Sequence, residues 1–212
     1  GMLPTGADLV FFGNTEVLKW VDVDGNEYDT MPNYDVELFP IYDFEATIEN
    51  GVEKEYDGIE EVLEVKVSLE GEYTYQWYKD GVLVGGATEK TLKVVDVADS
   101  GLYYCVVTSA SGVERQSNTV EVIITKAKID ASELEWDYSN PFTYDGTPKK
   151  VLLKDEKPGL LYVTYFENEY TNAYKYIAYV ELTLVDEFNY ELVGSVPSLE
   201  WEIQKAQIDV SG

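Results

Sequence analysis

The sequence predicts an all-β chain of small sandwiches in tandem, with a short β-rich segment in front. Three observations carry this. Apolar residues alternate at period two in one short run after another, with turn chemistry roughly every ten residues. Helical periodicity is nearly absent. One boundary motif recurs and divides the chain into modules. The hydrophobic fraction of 45% over 212 residues is enough for packed cores. Fifteen basic residues against forty-one acidic ones leave a formal charge of −26. Such a surface repels phosphate backbones and anionic membranes, so nucleic acid and lipid are poor partners. No run approaches the length of apolar chain that inserts into a bilayer. No secretion signal opens the chain, and Gly1-Met2 reads as an artificial start. Histidine is absent, which removes the commonest general base and metal ligand. A single cysteine excludes an internal disulfide framework; it fits a reduced compartment or an exported bacterial protein without disulfides.

In chain order, residues 1–42 are the least legible part. "LKWVDVDGNEYDTMPNYDVELFPIYD" (Leu18 to Asp43) ends in Met-Pro-x-x-Asp-Val before an alternating strand. "LEVKVSLE" (Leu63 to Glu70) then puts Leu63, Val65, Val67 and Leu69 on one face, with Glu64, Lys66, Ser68 and Glu70 on the other. "YTYQWYK" sets Tyr73, Tyr75 and Trp77 on a shared face, and Lys79-Asp80-Gly81 supplies a turn before "VLV". "TLKVV", "LYYCVVT" and "TVEVIIT" follow, and "LLYVTY", "YIAYVELTLV" and "SLEWEIQ" continue the same texture.

"ITKAKIDAS" (Ile124 to Ser132) recurs as "IQKAQIDVS" (Ile203 to Ser211), a period of 205 − 126 = 79 residues. "YDGIEEVLEV" from Tyr56 matches "YDGTPKKVLL" from Tyr144, each a turn leading into an apolar strand. The expected division is a β-rich segment over 1–42, sandwiches over 43–125 and 126–204, and the start of a truncated repeat over 205–212. Thr125-Lys126-Ala127 runs from one strand toward the next and is expected to be a semi-rigid junction.

The segment 43–125 carries Trp77 in "QWYKDG", Leu92, Val97 and Asp99-Ser100-Gly101-x-Tyr103-x-Cys105. In these residues it resembles a bacterial immunoglobulin-like surface domain. The resemblance implies that Tyr103 is a tyrosine corner and that Asp99 and Gly101 make the turn into its strand. It also implies that the usual disulfide partner of Cys105 is missing. The inward positions before Trp77 are Val65 and Val67, of which Val67 is favoured, so Cys105 becomes a small buried hydrophobe against Trp77. Segment 126–204, with "FTYDGTPKKVLL", "YTNAYKYIAYVEL", Asn189-Tyr190 and "LEWEIQKAQID", resembles the MBG/YDG-type β-sandwich repeat of bacterial surface proteins. Tyr174 stands where that pattern usually has glycine. Residues 1–42 resemble the tail of an internalin or Listeria–Bacteroides repeat; the alternative is a strand or two packed on the first sandwich.

Leu3-Pro4-Thr5-Gly6 is one residue short of a sortase signal and is a chance match. Asp22, Asp24, Asn26, Glu27 and Asp29 offer oxygen ligands for calcium, but an Asp-Gly-Asn hairpin explains them without an ion. No cofactor is expected. Among forty-one acids some pair will fall at the roughly 5–10 Å that glycoside hydrolysis needs, so proximity alone argues little for a carboxylate enzyme. "YFENEYTNAYKYIAY" (Tyr165 to Tyr179) is the densest aromatic cluster, from which Tyr170, Tyr174 and Tyr176 are the first candidates for a ligand-contacting patch. The expectation is a non-catalytic structural or adhesive segment on a bacterial cell surface, among neighbouring repeats of the same chain. The alternative is a module that binds a protein or glycan of a host or neighbouring cell.

Overall fold

A computed structural model describes residues 17–207. The Gly1-Met2 and Leu3 to Gly6 readings, and the Ile208 to Ser211 part of the second boundary motif, lie outside those residues. The chain divides into two compact units, with a break between Ile124 and Thr125; Glu55–Asp57 groups with the second.

The described part of the first unit begins with a three-stranded antiparallel sheet in which β1 (Val17–Val21) lies between β2 (Glu27–Tyr28) and β3 (Phe39–Tyr42). The turn after β1 is closed by Gly25, whose φ of 84° is open to glycine without strain. A two-sheet sandwich follows. One sheet orders β4 (Ala46–Ile48), β6 (Glu61–Val67) and β9 (Thr91–Val94). The other orders β5 (Val52–Glu55), β12 (Val120–Thr125), β10 (Gly101–Ser109), β7 (Tyr73–Lys79) and β8 (Val82–Leu83), with β11 (Glu114–Gln116) also on β10.

Strand alternation builds this core directly. On β6, Leu63 and Val65 are buried while Glu64 and Lys66 reach solvent and pair with Lys90 at 2.8 Å and Glu49 at 2.5 Å. Exposed pairs of this kind contribute at most about 1 kcal/mol each, so the strand is held by its apolar face. The β7–β8 hairpin turns on Asp80 (φ 50°) and Gly81 (φ 78°), two left-handed residues in succession. That backbone matches the twist of paired strands, and Asp-Gly is the pair that adopts it at least cost.

The second unit contains β13 (Ala127–Asp130), β14 (Phe142–Thr143), β15 (Lys149–Lys150), β16 (Leu161–Phe166), β17 (Glu169–Tyr170), β18 (Lys175–Leu184), β19 (Tyr190–Val193) and β20 (Leu199–Gln204). Its main sheet orders β14-β20-β18-β16, with β14 parallel to β20; β13 runs parallel to β19, and β15 pairs with β17. Trp201, Ile203, Val151, Ala178 and Leu161 form the centre of its core, with Trp136 and Leu134 at the side. Both units are β-sandwiches, as the alternating runs require.

Candidate functional site

Around Cys105 the first sandwich is closed on every side. Cys105 and Trp77 are opposite each other on β10 and β7, and both have no exposed surface. The indole Nε1 donates to the Glu89 carbonyl at 2.9 Å, so the buried ring keeps its one polar group satisfied. Full enclosure on β6 belongs to Val65, at 0% exposure, whereas Val67 is half-buried. The reason is position: Val67 is the last residue of β6, paired with Ala46 at the strand's end. Burial therefore shifts the weight from the favoured Val67 to Val65. Leu92 is half-buried on β9, in register with Leu63.

The corner residues act as a unit. The Tyr103 hydroxyl donates to the Asp99 carbonyl at 2.7 Å, four residues upstream. The Asp99 carboxylate accepts from the backbone N–H of Val95 at 2.7 Å and Asp96 at 3.0 Å, which fixes the short turn Val97–Asp99. Gly101 lets the strand pass close to the β7–β8 turn: an added Cβ would lie 2.7 Å from the Asp80 carboxylate, which would have to shift. Burial, with the nearby charges of Asp99 and Asp80, pushes the Tyr103 phenol up to about 12. The unfolded phenol ionises near 10, so the stability this neutral phenol gives is whole below pH 10 and lost as pH rises toward 12. Tyr103→Phe is expected to cost about 1 kcal/mol and to flatten that alkaline loss, as read by denaturant melts at pH 8 and 11.

Burial likewise raises the Cys105 thiol to about 11. A protonated, enclosed thiol is neither nucleophile nor metal ligand. Native protein at pH 7 is expected to resist alkylation at Cys105, and a thiol reagent should label it on unfolding.

The acidic β1–β2 turn is organised from within. Asp22 accepts from the backbone N–H of Asp24 at 3.0 Å and Asn26 at 2.9 Å, from the Asn26 amide at 2.9 Å and from the Tyr28 hydroxyl at 2.8 Å. These donors, the Asn26 amide foremost, lower its carboxyl to about 2. A cation there would have to displace four donors, which is the chemistry of a turn. Asp24, Asn26, Glu27 and Asp29 are exposed, with Glu27 paired to Lys19 at 2.6 Å. Among the described residues no cluster of three or more His, Cys, Asp or Glu is arranged to hold a metal ion.

The aromatic cluster of the second unit divides by depth. Tyr170 and Tyr176 are half-buried and stack face to face, with ring centres 3.9 Å apart. Tyr176 also leans on buried Trp201 at 5.1 Å, and its hydroxyl donates to the Asn172 carbonyl at 2.9 Å. These two rings are committed to packing, as alternation leads one to expect for about half of the cluster, rather than to the ligand-contacting patch for which they are candidates. Of the three candidates only Tyr174 is open, 70% exposed and edge-on to Tyr176 at 5.7 Å. Its φ is not positive, so the turn in which it replaces glycine forms without strain. Beside it lie two open depressions. One of about 510 Å³ is lined by Tyr174, Lys175, Glu202, Gln204 and Lys205, and one of about 330 Å³ by Tyr138, Tyr176, Ile177 and Glu200. Lys175 and Glu202 border both.

Residues 65–124 match the model of the family described as immunoglobulin domain. No curated protein matches the sequence. Similar solved structures include the N-terminal four Ig domains of Dscam1 isoform 7.44, at 20% identity and TM-score 0.33 over 44% of this chain and 25% of that one. Domains 3–5 of the extracellular part of Drosophila OTK align at 14% identity and TM-score 0.32 over 77% of this chain and 66% of that one. Three N-terminal domains of the bacteriophage RB49 highly immunogenic outer capsid protein align at 13% identity and TM-score 0.36, over 77% and 59%. The chain thus spans a quarter of the length of the Dscam1 structure it resembles.

Proposed function

We propose that this chain is a non-catalytic structural and adhesive segment of a bacterial cell-surface protein. In this reading 43–125 is a bacterial immunoglobulin-like module whose first cysteine is replaced by valine, and 126–204 is an MBG/YDG-type repeat. Residues 1–42 are the tail of a preceding β-rich piece, and 205–212 begin a further repeat. The observation that supports it is the division into two compact units, each with an apolar core of its own. Among the described residues no buried side-chain nitrogen or oxygen lacks a hydrogen-bond partner. Modules sealed in this way can be strung together with only small contacts between neighbours. Where carboxyls are perturbed, the direction is away from general-acid chemistry. A general acid needs a carboxyl held above its ordinary range, whereas Asp43, Glu64, Asp130, Glu135, Asp155 and Asp186 are all drawn down by hydrogen-bond donors or cations.

A second reading, ligand recognition on the second unit, is favoured by one observation: Tyr174 stands open beside a lined depression. Titrating the whole chain against glycan arrays and host-cell surface proteins separates the two. A spacer gives no saturable binding. A recognition module gives binding that Tyr174→Ala weakens without lowering the melting temperature. Saturable binding indifferent to Tyr174 would remove the second reading, and turnover of a polysaccharide would overturn both.

A further inference from the structure

Lysine pairing in this acidic chain is nearly complete, and the exceptions coincide. Of its fifteen basic residues, Lys79 and Lys126 donate to the Ala98 and Glu187 carbonyls. The Lys175 and Lys205 side chains have no hydrogen-bond or ion-pair partner among the described residues, and all the others sit in ion pairs. The two open lysines line the same depression, the one that holds Tyr174.

Lys175 is unpaired despite an available acid. It lies directly opposite Glu202 in the β18–β20 ladder. The same antiparallel arrangement closes at 3.6 Å for Lys150 with Glu169, and the parallel pair Lys128 with Glu191 also closes at 3.6 Å, both in this unit. Facing side chains on paired strands are within easy reach of one another, so distance does not explain the open pair. The groove therefore presents three separate charges rather than a neutralised pair: ammonium groups from Lys175 and Lys205, and a carboxylate from Glu202. Gln204 adds an amide, and Tyr174 adds an exposed ring.

We infer that this groove binds a carboxylated sugar. The inference rests on the second reading above and names its ligand class. Each feature matches one part of such a molecule. The ammonium groups take the carboxylate, through charge-assisted hydrogen bonds. Sugar hydroxyls donate to Glu202 and hydrogen-bond with Gln204. The apolar face of a ring lies against Tyr174, as rigid amphipathic aromatics allow at small entropic cost. A bare inorganic anion uses only the lysines and meets Glu202 as a repulsion. A neutral sugar leaves both lysines idle. The adjoining depression, bordered by the same Lys175 and Glu202, gives room for a second ring.

The test is calorimetric titration of the whole chain with sialyllactose, with a glucuronic-acid-containing tetrasaccharide, and with lactose as the neutral control. The expected result is binding of at least one acidic sugar, weakened by added salt, with lactose at least about tenfold weaker. Lys175→Ala and Tyr174→Ala should each cost about tenfold in affinity while leaving the melting temperature unchanged. Lactose binding as tightly as the acidic sugars, or a Lys175→Ala variant that binds them unchanged, would overturn the inference and leave the aromatic reading standing. Absence of binding to all three sugars would also overturn it. If a protein ligand sensitive to Tyr174→Ala were then found, the second reading would survive; if none were found, both would fall.

Discussion

Val65→Cys is expected to close a disulfide with Cys105 under oxidising conditions and to stabilise the first sandwich substantially. Val65 and Cys105 are both wholly enclosed, one on each sheet, with Trp77 enclosed beside them. The cross-link would span a loop of about 40 residues, for which the chain-entropy account gives about 4 kcal/mol. Native strain and lost packing of the valine methyls reduce this, so a gain of roughly 2–4 kcal/mol in denaturant melts is the expected reading. Reduction should abolish the gain and leave the variant somewhat below the parent. Val67→Cys serves as the control: that residue ends β6 opposite Ala46 and is half-exposed. If Val67→Cys bridged to Cys105 and Val65→Cys did not, the assignment of the buried position would be reversed.

The contrast between these two valines shows what the sequence makes legible. Period-two alternation puts Val65 and Val67 on the same face, and nothing local says which lies deeper. Depth depends on where β6 ends and on the strand beside it, a long-range pairing with Ala46. The corner around Tyr103 is legible for the opposite reason. Asp99, Gly101, Tyr103 and Cys105 lie within a single turn and strand start, so their spacing alone carries the geometry. The tyrosines fall between these cases. Alternation requires about half of the cluster to face inward, but the phase is fixed by β18 starting at Lys175, which turns Tyr176 in and leaves Tyr174 outside the strand. The groove lysines were not legible at all. Their openness is a property of register: Lys175 faces Glu202 without pairing, and Lys205 lies just past β20. No run of neighbouring residues announces either fact.

Trp201→Ala is expected to unfold the second unit while the first remains intact. Trp201 is 2% exposed at the centre of its core. It touches Phe142 edge-on at 6.0 Å and Tyr176 at 5.1 Å, and its Nε1 donates to the Glu167 carbonyl at 3.2 Å. Removing it strips the stack that Tyr170 and Tyr176 lean on and leaves a cavity. Truncations of this size cost roughly 3–5 kcal/mol, against a total stability of about 5–15 kcal/mol for a small domain. Cys105 makes the outcome readable, because the chain's one thiol lies in the first unit's core. Two cores that fold separately predict loss of one thermal transition with Cys105 still protected from alkylation at neutral pH. Trp77→Ala predicts the reverse, a labelled thiol with the second transition preserved. A Trp201→Ala protein whose Cys105 reacts as fast as in denaturant would mean that the cores fold as one cooperative body, and the tandem-module reading would not survive it.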